Sequence, residues 1–253
     1  MLSNFLNEIP QMLLMLPAIL LSLSVHEAAH GLVAYKLGDP TAKNLGRLTL
    51  NPIKHINPIG FLSMMFFGVG WANPVPINTR YFKNPRKGMA ISAAAGPISN
   101  LCLAILFTLL LRIIMIPVVP KIDEALMMGD IYGDELFSNV GILLLAVLAT
   151  ILYLGIMLNI NLMLFNLIPL PPLDGSRIAY IFLPTDIYFK IMKYERYIMI
   201  AFIILLTTNI ITVPLGFFNE HITNFLYTVT DMPTPYLYYF INGVLSRLPT
   251  FSL

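Results

Sequence analysis

Two histidines and a glutamate in the run SVHEAAHGLV have the types and the spacing to hold a metal ion and use it. His26 and His30 stand four residues apart, so on a helix their imidazoles lie on one face, one turn from each other. Zinc is the ion that suits such donors, and a catalytic zinc keeps one position open for water. Glu27, next to the first histidine, then reaches that water rather than the metal. Water at such a site is acidified to a pKa of about 7. Glu27 is placed to take its proton during attack on a carbonyl and to pass it to the departing amine. The alternative for three ionisable groups in an apolar helix is a helix–helix hydrogen-bond cluster or a proton path. The motif and its depth in an apolar run together favour the metal.

Two histidines do not complete a catalytic zinc site, which takes three protein ligands. The chain has four histidines. His221 follows the last long apolar run and reads as a surface residue, and His55, in NPIKHINPIG, sits among turn formers. His55 is therefore the reserve candidate, with a supporting role beside the site as its minor reading. Asp174, in NLIPLPPLDGSR, is the stronger one. Pro169, Pro171 and Pro172 cannot continue a helix, so the chain must run extended after residue 168. Non-helical backbone at membrane depth is tolerated only where it lines a cavity or is buried in protein. Asp-Gly by itself is equally a turn, with Asp174 capping the helix that follows; HEAAH on another span favours the ligand. Asn166, an amide just before the prolines, is placed either to steady an oxyanion or to cap carbonyls that the prolines free. Asn100, in AAAGPISN, reads chiefly as a polar contact between closely packed helices.

The elements that must carry these groups are membrane helices. Of the 253 residues 57% are hydrophobic and 11% charged, and the mean hydropathy is +0.78. A soluble chain carries roughly 25% charged residues, so most of this surface faces lipid. A soluble enzyme, a disordered chain and a nucleic-acid binder are excluded; a net charge of +2 neutralises few phosphates. The single cysteine, Cys102, permits no internal disulfide and no cysteine-rich metal site. A span needs about 20 mostly apolar residues. Residues 9–37, 88–119, 139–168 and 197–218 meet that length. Residues 58–71 read as a re-entrant segment or buried hairpin, and 222–248, interrupted by Asp231, Pro233 and Pro235, as an interfacial or broken span. The expected fold is an all-α polytopic membrane protein of four to six transmembrane helices, with a short β or re-entrant segment between the first two core helices. The N-terminal run is too long, and too poor in bases before it, for a cleaved signal peptide.

Eight bases (Lys36, Lys43, Arg47, Lys54, Arg80, Lys83, Arg86 and Lys87) separate the first two long runs, with Asp39 the lone acid. The next connection is acidic, with Asp123, Glu124, Asp130, Asp134 and Glu135 against Lys121, and Arg177, Lys190, Lys193 and Arg196 follow in the one after. The bias toward cytoplasmic bases puts residues 36–87 and 171–196 inside the cell. Counted from Gly38, His30 lies about eight residues in, about 12 Å at 1.5 Å per residue, short of a midplane about 15 Å down. No repeat or linker divides the chain. The expected organisation is one domain, 1–253, with a catalytic core at about 9–196 and accessory segments at about 197–253.

HEAAH, AGPISN and NLIPLPPLDG together resemble the site-2 protease family of intramembrane zinc metalloproteases, peptidase family M50. GRLTLNPIKHINPIG and GWANPVPINTRYFKNPRKGMA resemble its compact prokaryotic branch. The matching stretches cover about 24–177. The resemblance implies His26, His30 and Asp174 as ligands of one zinc and Glu27 as catalytic base. It implies hydrolysis within transmembrane segments of protein substrates, near the cytoplasmic face of a prokaryotic plasma membrane. It also implies help from Asn166 in catalysis or substrate binding. Many relatives carry PDZ or CBS domains, for which this chain offers no stretch.

Cleaving a peptide bond in a bilayer needs water and an extended substrate backbone, because helical amides are shielded. Residues 45–76, with a strand-like Leu48-Thr49-Leu50, are expected to offer an edge to such a substrate. The rival readings are a metal transporter and a catalytically silent scaffold for transmembrane helices. Glu27 argues against both, since neither needs a base beside the ligands.

Overall fold

The computed structural model describes residues 2–60, 63, 72–130, 133–206 and 208–248. Among these residues the regular structure is helical. Helix α1 runs over Leu2–Lys36, the short α2 over Thr41–Asn44, α3 over Pro85–Met127 and α4 over Val140–Leu167. Then come α5 (Asp174–Ala179), α6 (Thr185–Lys193), α7 (Glu195–Leu206), α8 (Asn209–Val229) and α9 (Thr234–Leu245). Three described helices are long and apolar enough to cross a bilayer: Ile9–Lys36, Pro85–Met127 and Val140–Leu167. They match the first three expected spans.

The fourth expected span differs. Residues 197–218 are divided between α7 and α8, and neither helix combines the length with the unbroken apolar run that the first three have. Thr208 lies between the two helices and its hydroxyl turns back to the Leu205 carbonyl at 2.6 Å, a local bond that competes with helix propagation. Residues 222–248 break where their sequence says: Asp231 has φ +50° and lies between α8 and α9. Most of 58–71, expected to form a re-entrant segment or hairpin, lies outside the described residues. On either side of it, Ile56 and Ala72 make an isolated antiparallel bridge. Residues 48–50, expected to be strand-like, form a bend at 48–49 and irregular chain at 50, and the described residues include no β-strand.

Two compact units share the chain. One comprises Leu20–Leu103 and Asn159–Ile222. In it α1 ends on a Schellman turn: Gly38 has φ +109°, which glycine adopts without strain, and Asp39 N–H reaches Ala34 O at 2.9 Å. The fully buried Asp39 then accepts from Thr41 N–H at 2.9 Å and Asn78 N–H at 2.6 Å. One carboxylate thus ties the end of α1 to the extended backbone leading into α3. Asn84 opens α3, accepting from Lys87 N–H at 3.1 Å, with Pro85 in the first helical position.

The other unit comprises Met1–Ile19, Ala104–Leu158 and Thr223–Leu253. Leu111, Met115, Val118 and Ile122 of α3, Ala146 and Ala149 of α4, and Leu237 and Phe240 of α9 are buried in it. Its polar contacts are mostly local or exposed: Thr108 and Thr150 donate to the carbonyls of Ala104 and Ala146 in their own helices, both at 2.8 Å. Asp130 accepts from the N–H groups of Asp134, Glu135 and Leu136 at 2.8, 3.1 and 3.0 Å. These bonds, that from Leu136 above all, hold its carboxyl below the ordinary carboxylate range. Arg247 pairs with Asp134 at 2.6 Å and Arg112 with Asp231 at 3.6 Å.

Candidate metal centre

In the unit formed by Leu20–Leu103 and Asn159–Ile222, the helical spacing of His26 and His30 delivers both imidazoles to one point. Their rings meet edge to face, with centroids 4.6 Å apart. The two Nε2 atoms are 3.0 Å apart, and Asp174 Oδ2 lies 3.2 Å from one and 3.1 Å from the other. All three residues are shielded from solvent, with Asp174 less so than the histidines. The prolines end the helix as expected, with α4 stopping at Leu167, and Asp174 is the first residue of α5. Residues 168–173, however, form bends and turns rather than an extended run, closed by Leu170 N–H to Ile168 O at 2.8 Å and Leu173 N–H to Leu170 O at 2.9 Å. Leu173, extended at φ −68° and ψ 155°, turns the chain into that short helix.

Close approach depends on two glycines. A Cβ on Gly96 of α3 would stand 2.5 Å from His30 Cε1 and Nε2 and 2.6 Å from His26 Cε1. A Cβ on Gly175 would stand 2.4 Å from the carbonyl oxygens of Leu167 and Ile168, so Asp174 is set by direct contact of α5 with the end of α4. Arg86 holds the far end of that segment, where its guanidinium donates to the carbonyls of Tyr180, at 2.8 Å, and Leu183. It also lies 4.7 Å from the Tyr180 ring centroid.

The hydrogen bonds behind the rings decide what the three atoms can do. His30 Nδ1 lies 2.7 Å from the Ser92 carbonyl, which only accepts, so Nδ1 carries the proton. His26 Nδ1 lies 2.7 Å from Asn100 Oδ1. Asn100 spends its Nδ2 on Asn159 Oδ1 at 3.0 Å, so the atom facing His26 is the amide oxygen, and His26 Nδ1 also donates. In the neutral imidazoles both Nε2 atoms therefore present lone pairs. Asp174 Oδ2 is buried without a hydrogen-bond donor. Three lone-pair atoms facing one another repel unless a cation sits among them. Their separations of 3.0–3.2 Å are close to the tetrahedral edge of about 3.3 Å that ligand bonds of about 2.0 Å require. The residues fit a zinc ion.

Glu27, 9% exposed, lies outside that triangle. Its Oε2 accepts from Val75 N–H at 2.7 Å. Pro74 and Pro76 flank Val75 and have no N–H, which leaves Val75 the only donor in that stretch. Arg47 braces it, donating to the carbonyls of Asn73 at 2.7 Å and Pro74 at 3.4 Å.

The other sequence candidates fall elsewhere. Asn166 Nδ2 donates to the Leu162 carbonyl of its own helix at 2.9 Å. His55 is fully buried in the connection before α3, where Nε2 donates to the Thr49 carbonyl at 2.8 Å and the backbone oxygen accepts from Asn73 N–H at 2.7 Å. His55 is not part of the cluster that Asp174 completes. The exposed His221 donates from Nδ1 to the Phe217 carbonyl at 2.8 Å. Asn100 makes the interhelical contact expected of it, but its second bond is to a metal-ligand candidate. One signal pointed that way: Asn100 stands one turn beyond Gly96, on the same face of α3. Val75 and Ser92 act through backbone atoms and carry no side-chain signal.

An HExxH helix with an aspartate carboxylate brought against its two histidines from beyond a later apolar helix is an arrangement suited to a metallopeptidase. The model of peptidase family M50 matches residues 14–206, and the chain belongs to that family. YwhC of Bacillus subtilis (strain 168), by its name a candidate zinc metalloprotease, is 40% identical over 198 residues, covering 78% of this chain and 80% of its own. Rip2 of Mycolicibacterium smegmatis, named in the same way, is 28% identical over 176 residues, 67% of this chain and 57% of its own. Rip2 of Mycobacterium tuberculosis (strain H37Rv) is 26% identical over 162 residues, with coverages of 62% and 52%. The chain thus spans little more than half the length of the Rip2 proteins. No solved structure is significantly similar to it.

Proposed function

We propose that the protein is a zinc-dependent intramembrane protease that hydrolyses peptide bonds in or near transmembrane segments of membrane proteins. The observation that carries this reading is the triangle of bare donor atoms on His26, His30 and Asp174 beside an oriented Glu27 carboxylate. Those three residues would hold one zinc ion per chain, which when bound supplies a Lewis acid that acidifies water and polarises a carbonyl. The Val75 N–H occupies one Glu27 oxygen and fixes the carboxylate plane. The other oxygen is left to take the proton of the attacking water and to give it to the leaving amine. The Asn166 amide is the candidate group for steadying the oxyanion.

The Lys and Arg bias of the connections supports an active site opening to the cytoplasm across a prokaryotic plasma membrane. The prolines and polar groups near Asp174 suit a wet cavity in which an unwound substrate backbone can lie. The whole chain acts as one membrane domain, its core at about 9–196 and its accessory part at about 197–253. Its partners are the bilayer and transmembrane protein substrates.

Exchange of Glu27 for Gln tests the reading. The purified variant is expected to keep its zinc and to lose cleavage of a reconstituted transmembrane substrate by about 10²–10⁴-fold. An E27Q variant that cleaves as wild type removes the assigned base. An E27Q variant that alters neither zinc binding nor metal movement into liposomes, in a protein without peptidase activity, turns the reading toward a transporter or scaffold.

A further inference from the structure

A line of buried polar side chains begins at His26 and returns to the same helix one turn earlier. His26 Nδ1 donates to Asn100 Oδ1 at 2.7 Å, Asn100 Nδ2 to Asn159 Oδ1 at 3.0 Å, and Asn159 Nδ2 to Ser22 Oγ at 2.8 Å. The line leaves α1, crosses α3 and α4, and closes on α1. Ser22, Asn100 and Asn159 are each at most 1% exposed. Buried amides among apolar helices cost free energy unless every polar atom is matched, and packing alone is served better by aliphatic side chains. The line therefore has a purpose that packing does not supply.

The two histidines show what that purpose is. The acceptor behind His30 is a backbone carbonyl, which cannot donate, so the position of the His30 proton needs no further support. The acceptor behind His26 is a side-chain amide whose two ends are almost identical in shape. Turned through 180°, Asn100 would present its NH₂ to His26 Nδ1. Nδ1 would then have to accept, the proton would move to Nε2, and the lone pair facing Asp174 would be lost. An acceptor on the far side of Asn100 prevents this by holding the NH₂ away from His26. Asn159 Oδ1 is that acceptor, and the other end of the Asn159 amide donates to Ser22 Oγ.

We propose that Asn159, anchored by Ser22, is a positioning residue for the metal centre: it fixes the face that Asn100 turns to His26, and so which His26 nitrogen is free to bind metal. The proposal rests on His26, His30 and Asp174 being the metal ligands. Outer partners of ligand histidines typically change metal affinity 10–100-fold when removed, and here that effect is transmitted through one further side chain.

The test is zinc affinity of the purified full chain in detergent, measured by competition with a chromophoric chelator, with helix content followed by circular dichroism. Asn159→Leu is expected to weaken zinc about 10–100-fold at unchanged helix content. Asn159→Asp keeps an oxygen toward Asn100 and should recover most of that loss. Asn161→Leu removes a neighbouring amide on α4 that pairs with Asn219 instead, and should bind zinc as wild type does. His30→Ala should lose zinc altogether.

Wild-type affinity in Asn159→Leu, with zinc lost in His30→Ala, overturns the positioning role and leaves the metal site standing. Zinc retained by His30→Ala overturns both. Equal losses in Asn159→Leu and Asn159→Asp, or in Asn159→Leu and Asn161→Leu, also overturn the proposal, because an acceptor toward Asn100 would then not be the cause. If Asn159→Leu does not fold, Ser22→Ala carries the test: a several-fold loss supports the line, and wild-type affinity overturns it.

Discussion

The two units of the chain use polar groups in opposite ways. Around His26, polar side chains are buried and point at one another in order: Asn159 to Asn100, Asn100 to His26, and Val75 N–H to Glu27. In the unit formed by Met1–Ile19, Ala104–Leu158 and Thr223–Leu253, the buried hydroxyls of Thr108 and Thr150 bond to carbonyls of their own helices, Asp130 caps a turn, and Arg112 and Arg247 pair with acids that are 99% and 84% exposed. Exposed pairs of this kind contribute about 0–1 kcal/mol, whereas a buried donor or acceptor left alone costs about 1–3 kcal/mol. Equal numbers of hydrogen bonds therefore carry unequal consequences. A single substitution is expected to propagate furthest in the unit that holds the His26, His30 and Asp174 cluster.

That contrast can be broken by substitution. Asp174→Ala should have the largest effect, taking metal analysis of the purified protein from one zinc per chain to none and abolishing cleavage. Retention of zinc in Asp174→Ala would show that the third donor comes from elsewhere. Gly96→Ala is next. Alanine favours a helix over glycine by about 1 kcal/mol, yet its methyl would occupy the space of both imidazoles. The clash costs about 1–3 kcal/mol, so the thermal unfolding temperature should fall modestly while zinc affinity falls sharply, with helix content unchanged by circular dichroism. Asp231→Asn is the smallest. It removes the ion pair with Arg112 and keeps a residue tolerant of positive φ. Thermal unfolding should show a change below about 1 kcal/mol, and zinc binding should not change.

Much of the site was legible in the sequence because its parts obey local rules. Residues 26–30 need only a helix to face one way, and three prolines in four residues must end a helix wherever they fall. The first three spans followed from length and composition. The fourth is not among the helices long and apolar enough to span: the described residues of 197–218 are divided between α7 and α8, a division that hydropathy does not register. Residues 48–50 read as strand-like but form a bend at 48–49, and Thr49 gives its carbonyl to His55 instead. His55 itself carried the right donor type and reached a backbone carbonyl, which shows that residue type alone does not select a ligand.

The sequence by itself determined the solvent of this protein, the helix that carries His26, Glu27 and His30, and the break that frees Asp174. Each follows from composition or from contacts within a few residues. Only the tertiary structure decided that Asp174 completes the triangle, that Val75 orients Glu27, and that Asn100 and Asn159 stand behind His26. Asn100 and Asn159 are 59 positions apart, and Glu27 and Val75 are 48 apart. No periodicity reaches that far. Which His26 nitrogen faces Asp174 with a lone pair follows from hydrogen-bond direction, and direction exists only once the helices have packed.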